Sequence, residues 1–298
     1  MNNYFKSYRK LKGEGTIWGL ALRQVSGKYL YDGNFSDFTF IKNSFRYWRA
    51  DPFLFEHNGE TYIFAELFDR LKAKGKIGVA KIKNGKCGKF KICLDLPWHL
   101  SYPCVYKKNN EIYMVPECAR SGKITVYKSK NFPYEWEEAY VLYEGAGVDT
   151  TPVKIDSDKY GFFTTLKTKD NNKNDCLYYI DNDTKQAKLL IENDLTVRSA
   201  GQVFFVDSKT LRPAQDCKNS YGGGLYFKTI EDCSVEHFKE RNYRRIDVTD
   251  IKTNNSSIAF NGIHTYNKTN TYEIIDLSYD VGKSPQLILK KALRHFNR

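Results

Sequence analysis

Two apolar runs joined by a short polar turn recur along this chain of 298 residues: DPFLFEHNGETYIFAE from Asp51, YPCVYKKNNEIYMVPE from Tyr102 and TPVKIDSDKYGFFTT from Thr151. Each reads as a β-hairpin, because the runs are rich in aromatic and β-branched residues and the turns carry Gly59, Asn109 with Asn110, or Asp156 to Asp158. Pro52, Pro103 and Pro152 stand 51 and 49 residues apart, each at the opening of a first strand, where a missing amide donor is tolerated. Fainter copies follow in AGQVFFVDSKTLRPAQD, where Gly201 lies 49 residues after Pro152, and in NGIHTYNKTNTYEIID, where Gly262 lies 61 further on. The segments between them, KIGVAKI, KITVYKS, CLYYID and GLYFKTI, supply further strands. A period of about fifty residues with about four strands per repeat predicts a propeller. The fold expected is all-β: a five-bladed β-propeller with hairpins near residues 51, 102, 151, 200 and 261.

Five blades of this size fill the chain, so residues 1–298 are expected to form one domain. The 22 Tyr and 19 Phe suit an aromatic-rich β core and argue against disorder. The net charge of +12 favours anionic partners such as phosphate groups or an acidic membrane surface. No zinc finger, RNP signature or basic heptad region is present, so nucleic acid is not expected as a partner. Seven cysteines stand singly at 87, 93, 104, 118, 176, 217 and 233. An odd number without CxxC argues against a disulfide framework and a structural zinc site, and most read as small buried hydrophobes. The run IWGLAL is too short for a secretion signal, and nothing reaches transmembrane length, so a cytoplasmic protein is expected.

The last segment, 285–298, differs in kind. Leu287, Leu289, Ala292, Leu293 and Phe296 alternate with Lys290, Lys291, Arg294, His295 and Arg298, which predicts a short basic amphipathic helix. It reads either as a last helix packed on the barrel or as a peripheral foot on the inner membrane face.

In a propeller the innermost strands share one channel, so matching positions of the repeats nominate a site. The starts of the first strands supply Asp51, Tyr102, Asp149 to Thr151, Arg198 to Gly201 and Asn261, and the ends of the second strands supply Glu66, Glu117, Thr165 and Arg212 with Gln215 and Asp216. Three carboxylates from three blades suit sugar chemistry, which wants one ionised carboxylate and one protonated one. Crowded like charges raise one pKa and separate the roles. Asp51 is read as base or nucleophile, Glu117 as acid, and Asp149 as an orienting or pKa-tuning group. The alternative is that each caps a strand or pairs with an arginine. Arg49, Arg198 and Arg212 are candidates for binding a phosphorylated or nucleotide-linked donor, or for neutralising Asp51, Asp216 and their neighbours. Trp48, Trp98, His99 and Tyr102 read as a sugar-stacking wall or as core. No metal-ligand constellation is found, and no cofactor motif: YGGGLYF from Tyr221 does not lead from a strand into a helix, and no GxSxG elbow occurs. The turn GAGVDTT from Gly145 is read as delivering Asp149 inward.

The stretch RADPFLFEHNGETYIF from Arg49 resembles the first-blade signature of five-bladed glycosidases of the arabinanase and fructosidase kind, in which the Asp of the analogous DP pair is base or nucleophile. A longer resemblance joins WRADPFLF, WHLSYPCVYKKNNEIYMVPE, NFPYEWEE, VDTTPV, RSAGQ, and RPAQDC followed by YGGGL. These segments, from Trp48 to Leu225 and in order, are similar to the N-terminal domain of glucosamine inositolphosphorylceramide transferases, a domain also found alone or beside formyltransferase domains in bacterial surface-glycan loci. The resemblance marks Trp48, Arg49, Asp51, His99, Tyr102, Glu117, Asp149, Arg198, Arg212, Gln215 and Asp216 as family positions. The chain departs from the pattern at Tyr47, Trp48 and Arg49, where cysteine or other residues can stand, and its fifth blade shares no motif. In the plant enzyme a separate C-terminal glycosyltransferase domain carries the recognised transfer site, and no such domain is expected in this chain. The resemblance implies a glycosyltransferase-like enzyme of surface polysaccharide or glycolipid assembly, acting on a sugar, nucleotide-sugar or lipid-linked glycan. The competing readings are a glycoside hydrolase using Asp51 and Glu117, and a non-catalytic glycan-binding scaffold.

Overall fold

A computed structural model of the chain describes residues 15–154, 160–167 and 174–281. They form five antiparallel sheets, the blades of a five-bladed β-propeller. The first blade runs outward from Tyr47–His57 through Glu60–Asp69 to Lys74–Lys83, with the short Lys86–Cys87 and Lys91–Leu94 on its outer edge. The second holds Ser101–Lys108, Glu111–Glu117, Ile124–Asn131 and Glu135–Tyr143, and the third Ala146–Lys154, Tyr160–Lys167, Leu177–Asp181 and Ala187–Ile191. The fourth holds Phe204–Val206, Lys209–Gln215, Leu225–Asp232 and Lys239–Ile246. The segments expected as further strands all fall in third strands. Helical structure among the described residues is limited to the single 3-10 turns Leu30–Asp32, Ala119–Ser121 and Val248–Asp250. The basic segment 285–298, expected as a helix, lies outside the described residues.

The fifth blade is built from both ends of the described chain. Its inner edge is Phe260–Gly262 and Tyr266–Lys268, followed by Tyr272–Val281, and Gly15–Gln24 then adds alongside, with Thr39–Ile41 outermost. Gly15–Gln24 pairs with Tyr272–Val281 from Gly15 opposite Val281 to Gln24 opposite Tyr272. The run IWGLAL is therefore a buried central strand that closes the ring. A bidentate ion pair reinforces the closure: Arg23 Nε donates to Glu273 Oε2 at 2.8 Å, and Glu273 Oε1 accepts from Tyr266 Oη at 2.6 Å. Both charged groups are buried, and each has its partners supplied, as low dielectric requires.

The proline spacing read from the sequence is kept, but none of the three prolines opens its strand. In the first blade Ala50 faces Glu66 and Phe53 faces Phe64, so Asp51 and Pro52 oppose one residue. Tyr102 and Pro103 bulge in the same way between the Ser101–Glu117 and Cys104–Val115 pairs. In the third blade the bulged residues are Asp149 and Thr150, whereas Pro152 pairs with Phe162 beyond the bulge. The missing amide is thus absorbed at a bulge in the first two blades and within the paired strand in the third. The first bulge residue is left-handed each time, with φ of 50° at Asp51, 46° at Tyr102 and 51° at Asp149. Such backbone costs on the order of 1–3 kcal/mol for a residue other than glycine. Its return is that three side chains from three blades are re-aimed toward one place.

Candidate active site

Asp51 and Asp149 reach the innermost strands through these bulges, and their surroundings differ. Asp51 Oδ1 accepts from Thr265 Oγ1 at 2.9 Å and lies 3.2 Å from His264 Nε2, while Oδ2 accepts from the Tyr102 amide at 3.2 Å. His264 Nδ1 lies 2.8 Å from Asp276 Oδ2. Asp276 in turn accepts from three backbone amides, those of Asp51 at 2.9 Å, His264 at 3.1 Å and Thr265 at 2.9 Å. An imidazole is thereby clasped between two buried carboxylates, with Trp18 packed on it at a ring-centroid distance of 3.9 Å. Burial alone would lower His264, but Asp276 and Asp51 outweigh it and raise the imidazole above its ordinary value. Burial pushes Asp51 up to about 6, a rise that His264 and Thr265 restrain and Asp276 and Asp149 reinforce.

The second half of the site surrounds Asp149. Its Oδ2 accepts from Arg198 Nε and from Gln215 Nε2, the latter at 2.6 Å, and Gln215 is itself anchored on the Ser199 carbonyl at 3.0 Å. Glu117 hydrogen-bonds to Asp149 and stands 3.5 Å from Arg198 Nη2. Burial and the Asp149 charge push Glu117 up to about 8, with Arg198 opposing. Asn174 Oδ1 accepts from Arg198 Nη1 at 3.1 Å and from Lys167 Nζ at 2.6 Å. Burial and the neighbouring Arg198 lower Lys167 to about 8, against the pull of Glu117 and Asp149. Glu66, fully enclosed, is raised well above an ordinary glutamate by burial and by Asp51, Glu117 and Asp276. His99 Nδ1 accepts from the Gly75 amide at 2.9 Å, and its Nε2 lies 3.4 Å from Glu66. Burial, with Arg120 and Lys74, lowers His99 to about 4, which makes it a neutral hydrogen-bond partner. A Cβ on Gly75 would fall 2.3 Å from the Leu100 carbonyl oxygen and 2.5 Å from Glu66 Oε1, so this contact requires glycine.

Asp51, Glu66, Glu117, Asp149, Arg198 and Gln215, nominated by the repeat register, are brought together, and His99, read as part of a sugar-stacking wall, joins them as a partner of Glu66. Five nominated residues are not. Arg212 is fully buried in a bidentate pair with Glu240, at 2.8 and 2.7 Å, and also donates to the Val197 carbonyl. Arg49 donates outward to the Lys42 carbonyl and covers Phe90. Trp48 is stacked on Phe68 inside the core, at 4.5 Å. Tyr102 is wholly buried, its hydroxyl 2.8 Å from Thr151 Oγ1 and accepting from the Gly201 amide, so it pins three blades rather than forming a sugar wall. Asp216 accepts from Arg245 Nε at 2.9 Å and from the Lys218 amide, bracing the base of a loop. Alternation explains the split between Arg212 and Gln215: strand residues three apart point to opposite faces, so one turns from the site as the other enters it.

His264, Thr265 and Asp276 were missed because the fifth repeat was anchored on Asn261, which is exposed. The available signal was an acidic residue on the second strand of a blade, since Asp276 lies there as Glu66 and Glu117 do in theirs. Asp51, His264 and Asp276 are also the one group of metal-ligand type that comes together among the described residues.

A family model described as "Glucosamine inositolphosphorylceramide transferase 1, N-terminal" matches residues 36–274. The chain belongs to this family. The glucosamine inositolphosphorylceramide transferase N-terminal match takes in Asp51, Glu117, Asp149, Arg198 and His264, whereas Trp18 and Asp276 lie just outside it. Curated relatives include glucosamine inositolphosphorylceramide transferase 1 of Oryza sativa subsp. japonica, 32% identical over 202 residues, and that of Arabidopsis thaliana, 32% identical over 206. The alignments cover 64% of this chain but only 27% and 26% of those proteins, so the chain matches about a quarter of their length. Among solved structures, the catalytic domain of a Coprinopsis cinerea GH62 α-L-arabinofuranosidase shares the fold with a TM-score of 0.59, at 11% identity over 91% of this chain and 98% of that one. A Podospora anserina α-L-arabinofuranosidase gives 0.57 at 12% identity, over 79% and 91%. At such identities the likeness concerns architecture alone.

Proposed function

We propose that this member of the glucosamine inositolphosphorylceramide transferase N-terminal family is a carbohydrate-active enzyme that transfers a glycosyl group, with Glu117 as acid and Asp51 as base. What supports the reading is the unlike surroundings of two carboxyls: Glu117 is half-buried beside Asp149 and pushed up to about 8, and Asp51 is buried against His264 and pushed only to about 6. Near pH 7 one holds a proton and the other has released it, which is the pairing that glycosyl chemistry uses. Glu117 donates its proton to the leaving oxygen as the anomeric C–O bond breaks. Asp51 takes the proton of the incoming hydroxyl as the new C–O bond forms. Asp149, clamped by Arg198 and Gln215, keeps Glu117 protonated, and His264 restrains Asp51 from the same fate. The names of the plant relatives, together with the positive charge of the chain, support a lipid-linked acceptor of the inositolphosphorylceramide kind at a membrane surface.

The test is transfer from a panel of nucleotide-linked and lipid-linked hexosamines to inositolphosphorylceramide in vesicles, with products read by mass spectrometry. Transfer by the wild type and its loss in folded Glu117→Gln and Asp51→Asn support the proposal. Release of phenol from aryl glycosides without an acceptor would assign hydrolysis to the same pair. Absence of both reactions, with sugar binding retained, would leave a glycan-binding propeller.

A further inference from the structure

We propose that Tyr221 is a sugar-binding platform, taking the apolar C–H face of a pyranose ring on its open side; this rests on the reading that the carboxylate cluster acts on carbohydrate. Three large aromatic side chains near that cluster, Trp18, Trp48 and Tyr102, are buried, and Trp98 is half-buried. Tyr221 is 50% exposed. Its ring nevertheless touches both halves of the site. One contact is with the Arg198 guanidinium, 5.2 Å from the ring centroid, beside Glu117 and Asp149. The other is an edge contact with His264 at 5.2 Å, beside Asp51, and Trp18 meets the ring edge-on at 6.2 Å. The half-exposed ring therefore spans both halves of the site.

The platform is also rigid, which separates it from an ordinary surface tyrosine. Its loop is closed by Asp216 N to Gly224 O at 2.8 Å and Gly223 N to Asp216 O at 3.2 Å, and tied to the fifth blade by Ile263 N to Gly222 O at 2.8 Å. Gly222 has φ of 67°, and a Cβ there would meet Trp18 Cη2 at 2.6 Å, so the loop sits directly on the indole that packs against His264. Asp216, braced by Arg245, holds the base of the loop. An aromatic face fixed in advance loses little entropy when a ligand covers it. Its negative quadrupole attracts the weakly positive C–H groups of a sugar. The ligand class is thus a pyranoside with an unbroken C–H face, oriented so that its anomeric oxygen lies between the two halves of the site.

Saturation-transfer NMR with the methyl glycosides of glucose, galactose, mannose and glucosamine tests this without any turnover. At least one should bind the wild type, with the C–H protons of one ring face receiving most saturation. Tyr221→Ala should weaken that binding about tenfold, the ratio one aromatic contact supplies, while Tyr221→Phe stays within about twofold. Because the ring is half exposed, both variants should melt close to the wild type. Unchanged binding in Tyr221→Ala, or no binding of any of the four by the wild type, would overturn the platform. A platform that stands while Glu117→Gln and Asp51→Asn leave transfer unaltered would instead overturn the assignment of acid and base.

Discussion

Glu117 is held up by Asp149: burial and the charge of Asp149, whose Oδ2 accepts from Arg198 Nε and Gln215 Nε2, push the Glu117 carboxyl up to about 8. Glu117 is thereby set up to give a proton at neutral pH. Asp51, facing His264 across 3.2 Å, is set up to take one.

The first consequence is a bell-shaped pH dependence of kcat/KM. Activity should rise as Asp51 loses its proton near 6 and fall as Glu117 loses its own near 8. Glu117→Gln should remove the alkaline limb and lower the rate roughly 10²–10⁴-fold. Asp149→Asn should move that limb to lower pH, since the charge and hydrogen bond that raise Glu117 are gone. An alkaline limb that stays put in both variants would assign it to another group.

His264 acts on the opposite limb. Its positive charge pulls Asp51 down, so His264→Asn should let burial raise Asp51 further and shift the acidic limb upward. A merely structural histidine would lower melting temperature without moving the limb. The pH profile of the variant decides between these roles.

Stability should also depend on pH with a definite sign. Glu117 lies near 8 in the folded protein against an ordinary 4.5, so the folded state holds its proton after the unfolded chain has released it. The stability tied to this group is fully present below about 4.5 and is lost as pH rises through about 8. Thermal melting followed from pH 5 to pH 9 should therefore fall. Glu117→Gln, which cannot ionise, should flatten that fall and melt above the wild type at the alkaline end.

Arg212 provides the contrast. Arg212→Ala strands the buried Glu240 carboxylate beside only Lys228, and breaking such a pair costs about 3–5 kcal/mol. The triple variant Arg212→Met, Lys228→Met, Glu240→Leu should recover much of the loss, because all three charges of the buried cluster are then removed. Both should keep the pH optimum of the wild type when assayed where they are folded. A shifted optimum would return Arg212 to the site.

Local pattern alone was enough to read the hairpins, the fifty-residue period and hence the five blades, because apolar alternation and turn residues act over a few positions. The same period brought Asp51, Glu117, Asp149 and Arg198 into one proposed site, since equivalent strand positions in a propeller face a common axis. What lay beyond sequence was set by contacts between distant segments. Gly15–Gln24 joins Tyr272–Val281 only when the ring closes, and that closure brings Trp18, His264 and Asp276 to Asp51. Which face each residue takes was decided by the bulges at Asp51, Tyr102 and Asp149, where one extra residue reverses the alternation that follows. Arg212 and Arg198, both plausible in sequence, were separated by the partners that folding brought to them: one side chain entered a dry pair with Glu240, and the other met Asp149.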